Sequence, residues 1–252
     1  MLILEIQTLL FIFARITSFI VVVPGFSHKS LPNTLKVFLG AVLSFLVYTT
    51  IDVTPVYPEI VLFTLAMFRE TLIGLAMGFS VKLVFSGIEM AGDLIDFQVG
   101  YSIGAVYDPT SGVMSSYYGK LFYWLGIMVF FLLDLHHILL KSLMSSFTVM
   151  LPGELGFAGF NLEGLLYIFS NSFKIAFSLA APMLIVLLVT DIVMGLISRT
   201  VPQINVFMLG MPLKALIGMV IFLFLVSSFM NHIGKIVMLM PQYMEKMMQL
   251  FR

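Results

Sequence analysis

Six long apolar segments dominate this sequence, covering residues 2–23, 34–51, 60–86, 121–149, 165–189 and 213–230. A helix needs about 20 apolar residues to cross the roughly 30 Å hydrocarbon core of a bilayer. Runs of that length without strict alternation are helical rather than strand-like. Composition agrees, since 60% of the 252 residues are hydrophobic and only 10% are charged. A soluble domain carries about 25% charged residues, because its surface has to be solvated. The 13 basic and 13 acidic side chains are too few to cover a globule. A soluble enzyme, a nucleic-acid binder and a disordered chain are therefore excluded. The expectation is an all-α, multi-helix integral membrane protein, a single domain over residues 1–252 with about six hydrophobic helices.

The opposite charges cancel, leaving no basic face for nucleic acid. Cysteine is absent, which removes disulfides, thiolate metal sites and cysteine nucleophiles together. The N-terminal run lacks a positive first region and a small-residue cleavage site, and it carries Glu5 and Arg15. It reads as the first helix rather than as a signal peptide. Turn-forming clusters separate the runs: Pro24-Gly25 with Pro32, Asp52 to Glu59, a stretch around Gly112, Pro152 to Gly164, and Arg199 to Pro212. Basic residues in the first and fifth of these favour the cytoplasm for both. Lys235, Lys246 and Arg252 in the tail pull the other way, so loop charge leaves the orientation open.

The few polar residues are not scattered. Glu70, Gly74, Gly78, Lys82, Ser86, Glu89, Asp93, Asp96 and Gly100 follow one another at steps of three or four. That spacing is one face of a single long helix, placed here at residues 69–104. Each central ionised group costs about 3 kcal/mol against lipid on insertion scales. Such a face is predicted to meet protein, water or headgroups. Gly74 with Gly78, and Gly100 with Gly104, give two GxxxG pairs that let backbones approach closely. A second polar face follows in Asp191, Gly195 and Arg199. Pro202 should end that helix, and Pro182 should kink the run before it.

The segment from Gly104 to Gly119 joins turn residues to bulky apolar ones, and composition alone favours its packing on its own protein. His136 and His137, beside Asp134, form a tempting metal pair. Neighbours on a helix point about 100° apart, however, and chelate one ion poorly. The bland reading is a helix end or a wet interface, and no metal or cofactor is expected. No phosphate loop, nucleophile elbow or HExxH motif is present, so no catalytic residue is assigned. The methionine-rich tail, residues 231–252, reads as an amphipathic helix at an interface or against a partner.

Several blocks resemble the FliR family, the flagellar export-gate membrane subunits, whose relatives in virulence secretion are the SctT proteins. They are Arg15, Pro24 and Pro32; Arg69-Glu70 with Gly74 and Gly78; Ala91 to Gly112; Leu135 to Phe147; Pro152-Gly153; and Ala181 to Lys214. Their order and number make the likeness specific over nearly the whole chain. One departure is Leu135, where the family carries glycine before the histidine pair.

The resemblance implies a non-enzymatic, all-helical subunit of a protein-conducting gate. Its partners would be FliP- and FliQ-type subunits, a docked FlhB-type subunit, unfolded export substrates in transit and membrane lipid. Its place would be the bacterial inner membrane at the flagellar basal body. The resemblance also implies that a loop helps plug the closed pore, by position Tyr107, Asp108, Pro109, Thr110, Ser111, Gly112, Val113, Met114, Ser115, Ser116, Tyr117, Tyr118 and Gly119. The candidate contacts between helices or subunits are Arg69, Glu70, Lys82, Glu89, Asp93, Asp96, Asp191 and Arg199. The candidate close-packing glycines are Gly74, Gly78, Gly100 and Gly104. A virulence-type secretion subunit is the alternative, followed by a small-solute transporter that uses the intramembrane charges as relays.

Overall fold

The fold was analysed in a computed structural model, which describes residues 2–28, 31–51, 57–101, 116–155, 162–201 and 206–251. Every regular element among them is helical. In chain order these are α1 (Leu2–Val22), α2 (Asn33–Tyr48), α3 (Ile60–Val99), α4 (Tyr117–Leu132), α5 (Leu135–Val149), α6 (Leu162–Thr200), α7 (Val206–Val237) and α8 (Met240–Met248). A single 3₁₀ turn, Gln249–Phe251, follows.

The long helix implied by the polar stripe is α3, a 40-residue element of about 60 Å at 1.5 Å rise per residue. It ends five residues short of the expected Gly104, and the cause is local. Gly100 adopts φ 100°, its N–H donates to the Phe97 carbonyl, and the Tyr101 N–H donates to the Asp96 carbonyl. That pair of bonds closes a helix C-terminus around a left-handed glycine. Gly104 itself lies outside the described residues.

α6 ends at Thr200, two residues before Pro202, as the steric conflict before a proline requires. Pro182 lies inside α6, within the run where the sequence placed it. Pro212, expected in a loop, lies inside α7. In a helix this apolar, neighbouring turns tolerate one missing backbone bond.

The apolar run 121–149 is not one helix. It breaks between α4 and α5 with a 74° bend, because Asp134 sits in the left-handed region at φ 53°, ψ 25°. Aspartate tolerates that region better than most residues. The count of spans falls accordingly. Among the described residues four helical stretches are long and apolar enough to cross a membrane, and the bent pair could supply a fifth. α2 is apolar but has 16 residues, or about 24 Å, short of the hydrocarbon core.

The chain divides into two compact units. The first comprises Met1–Val84, Phe130–Ser170 and Met238–Arg252, with Phe11, Phe19, Ile73, Met77 and Met244 fully buried. Within it α1 packs on α2 and presses against α3 at Gly74. A Cβ there would overlap the Arg15 carbonyl oxygen and Ser18 Oγ, so only glycine allows this approach. α8 packs on α5 with Tyr243, Met244, Met247 and Met248 buried. The methionine face of the tail is thus covered by its own chain, because burying its apolar stripe there leaves the polar Gln242 and Glu245 outward. The second unit comprises Phe85–Val129 and Asn171–Val237. Its core includes Ile88, Ile95, Phe122, Leu179 and Leu187.

Candidate functional site

In the first unit the polar residues form a buried clasp. Arg15 on α1 and Glu70 on α3 meet as a salt bridge of 2.6 Å with both side chains fully buried. Every guanidinium nitrogen has a partner. Nε donates to Glu70 Oε2, Nη1 donates to the carbonyl and the hydroxyl of Ser146 at 3.1 Å, and Nη2 donates to the Met150 carbonyl at 3.2 Å. The Phe147 ring lies 4.3 Å from Cζ, adding cation–π attraction. Glu70 uses its second oxygen to accept the Gly153 N–H at 3.0 Å.

One ion pair thus joins α1, α3, the C-terminal end of α5 and the turn after it. Gly153 fits that turn because its φ of 81° is open to glycine at little cost. The adjacent Arg69, 2% exposed, donates to the carbonyls of Glu154 and Phe251. Tyr57, ahead of α3, donates its hydroxyl to the Gly153 carbonyl at 2.7 Å, and Gln7 brackets its backbone through both amide atoms. Burial pushes the Tyr57 phenol above its usual pKa, with the Arg69 charge opposing; the hydroxyl remains a donor at neutral pH.

The second unit carries a clasp of another kind. Asp96 Oδ2 near the end of α3 accepts from Ser116 Oγ at 2.6 Å, from the Tyr118 N–H at 3.0 Å and from the Gly119 N–H at 3.3 Å. Ser116 Oγ also accepts the Gly119 N–H. The first turn of α4 is therefore capped twice, once by its own serine and once by a carboxylate from α3. Asp96 Oδ1 is buried without a hydrogen-bond partner among the described residues. Gly92 lets α4 approach α3, since a Cβ there would overlap the Tyr118 carbonyl.

Further along, Asp191 on α6 accepts from Gln98 Nε2 at 2.8 Å and pairs with Lys214 on α7. Lys214 also reaches the Gln98 carbonyl. This triad is partly open, with side-chain exposures of 19% for Lys214 and 38% for Asp191. It fixes three helices in register more than it stabilises them, because exposed pairs contribute little. Beside it, Tyr101, Tyr117, Tyr118, Leu216, Met219 and Phe222 line an apolar groove of about 850 Å³.

The candidate residues therefore separate into groups. Arg69 and Glu70 meet in the first clasp, Asp96 caps α4, and Asp191 joins Lys214. Lys82, Asp93 and Arg199 are exposed and Glu89 is half-buried. Gly74 and Gly78 face α1, whereas Gly100 turns the chain at the end of α3. Of the segment 107–119, residues 107–115 lie outside the described residues, while Ser116 to Gly119 open α4. Five participating side chains were not singled out from the sequence, namely Gln7, Tyr57, Gln98, Ser146 and Lys214. Arg15 was visible as a charge in an apolar run. Its partner 55 residues away was not.

The groups of the two clasps and the triad are committed to backbone carbonyls, amide N–H groups and each other, and no substrate cleft gathers a nucleophile with a base among the described residues. An all-helical chain with apolar outer faces and polar groups spent on helix-to-helix contacts is a membrane-embedded protein held together by buried clasps. Residues 6–240 match the family described as bacterial export proteins, family 1, and the chain belongs to that family. It is 32% identical to the flagellar biosynthetic protein FliR of Bacillus subtilis (strain 168) over 222 residues, 86% of this chain and 85% of the relative. It is 28% identical to the protein of the same name from Escherichia coli (strain K12), over 87% of this chain and 85% of that one. The surface presentation of antigens protein SpaR of Shigella sonnei is 31% identical over 163 residues, 64% of this chain and 62% of the relative. These likenesses bear out the resemblance carried by the residue blocks.

Proposed function

We propose that the chain is a non-enzymatic subunit of the flagellar type III export gate, in the bacterial inner membrane at the flagellar basal body. With FliP- and FliQ-type subunits it forms the channel through which unfolded substrates pass, and an FlhB-type subunit docks alongside. The flagellar names of its relatives support this reading. One structural observation carries the heteromeric part. α3 exposes Ile60 at 79% near one end and Phe97 at 73% near the other. Their separation of 37 positions spans about 55 Å at helical rise, against a hydrocarbon core of about 30 Å. Lipid tails cannot cover both at ordinary tilts of about 20°, which supports a reading in which other protein covers part of this helix.

Co-expression with FliP- and FliQ-type subunits tests the reading. A stable complex should be isolated, and the chain alone should aggregate or be degraded. A monodisperse, solute-transporting single chain would favour the transporter reading instead. The likeness to SpaR keeps a virulence-type secretion system as the second reading. Complementation of a motile host lacking its own flagellar subunit separates the two, since restored swimming is expected only for the flagellar role.

A further inference from the structure

We propose that Asp134, His136 and His137 bind a divalent transition-metal cation of the zinc type at the corner between α4 and α5. Each residue offers one donor atom, and the three donors lie within 4.8 Å of one another. Adjacent positions on a helix diverge by about 100°, which argued against this pair from sequence. The placement of the two rings answers that objection.

Both histidines stand in the first turn of α5, and helical side chains lean toward the helix N-terminus, where Asp134 sits. The left-handed backbone of Asp134 starts α5 abruptly after the bend. The imidazole centroids are 4.1 Å apart at 49°, close neighbours rather than diverging groups. The carboxylate makes no capping bond to α5, so it is not committed elsewhere in that turn. His136 also packs against Phe130 and Phe131, and its buried Nδ1 has no hydrogen-bond partner among the described residues. The fold thus leaves an imidazole nitrogen unsatisfied beside two further donors.

The donor set suits zinc, copper or nickel, since imidazole and carboxylate are ordinary ligands for them. Donors on a tetrahedral zinc ion stand about 3.3 Å apart, so the cluster must contract by up to about 1.5 Å. Asp134 and His137 are exposed and can rotate to achieve this. The positive end of the α5 dipole opposes a cation modestly. Three protein ligands leave a fourth position to water, and the ion would lock the 74° corner.

The test uses the full-length chain without a histidine tag, freed of metal by chelation and titrated with Co²⁺ alone and then Zn²⁺ alone. One equivalent of Co²⁺ should bind with visible ligand-field absorption, and Zn²⁺ should displace it. H136A and H137A should each weaken binding by about a hundredfold, losing a ligand where loss of a mere supporting contact costs 10–100-fold. H232A, distant in sequence, should leave it unchanged. Saturable binding that persists undiminished in the double variant H136A/H137A would overturn the proposal, as would no saturable binding to the folded parent chain. If either variant fails to fold, Cu²⁺ electron paramagnetic resonance on the parent chain counts the ligands directly. Two coordinated imidazoles are expected, and one or none overturns the assignment.

Discussion

Arg15 has been removed wholly from solvent and given a partner at each nitrogen, and this decides how it responds to change. Removing one member of a buried ion pair strands the other, at a cost of about 3–5 kcal/mol. Glu70→Ala should therefore destabilise the first unit by about that much, read as a lowered melting temperature and loss of the full-length chain from membranes. Replacing both together, Arg15→Met with Glu70→Leu, should recover most of the loss, because no charge then remains buried. A double variant as unstable as the single one would show that the pair supplies more than mutual neutralisation. Glycines give a second contrast at this scale. A methyl at Gly74 meets the Arg15 carbonyl, whereas Gly195 has nothing within 4 Å. Gly74→Ala should cost about 1–3 kcal/mol by forcing α1 away from α3. Gly195→Ala should be neutral or stabilising by up to about 1 kcal/mol through helix propensity. Both are measurable as shifts in thermal stability of the purified chain.

At the level of elements, α3 was legible because its polar residues recur every three or four positions, and no other structure gives that period. Its end at Val99 was not, because Gly100 could equally have continued a GxxxG face; the backbone bonds from Gly100 and Tyr101 settled it. The break at Asp134 was half legible. Asp134 with His136 and His137 read as a helix end or a wet interface, but nothing in the run 121–149 indicated a left-handed residue or the 74° bend. The start of α4 is the element most open to test. Asp96 and Ser116 share its first-turn amides, and an N-cap is worth about 1–2 kcal/mol. Asp96→Ala should speed hydrogen exchange at Tyr118 and Gly119, while Lys82→Ala, changing an exposed residue earlier on α3, should leave those amides protected. Equal protection in both variants would remove Asp96 from the capping role.

For the whole molecule, the two units are held by different chemistry. The first relies on a dry ion pair among apolar side chains, the second on a capped helix start and a half-open triad of Gln98, Asp191 and Lys214. The segment proposed as a plug joins α3 to α4, and its last four residues are the serine cap and first turn of α4. A deletion that tests the plug should thus stop at Ser115. Removing residues 107–115 from the assembled complex should raise ion conductance across reconstituted bilayers while Tyr118 and Gly119 stay protected. Unchanged conductance with intact assembly would separate this segment from pore closure.

The amino-acid sequence by itself determined the solvent, the fold class and the family. Those depend on sums and periods: too few charges to solvate a globule, apolar runs of spanning length, and residue blocks in a fixed order. The tertiary structure alone decided which polar group meets which. Arg15 could have paired with any of several acids on the α3 stripe, and it meets Glu70 because the glycine surface at Gly74 and Gly78 brings α1 to that level of the helix. The corner at Asp134 is of the same kind. Adjacent positions diverge on a helix, and only the tertiary structure shows the two imidazoles as close neighbours, 4.1 Å between centroids. Contacts between distant residues follow from how helices pack, and packing depends on close-fitting surfaces that no local pattern encodes.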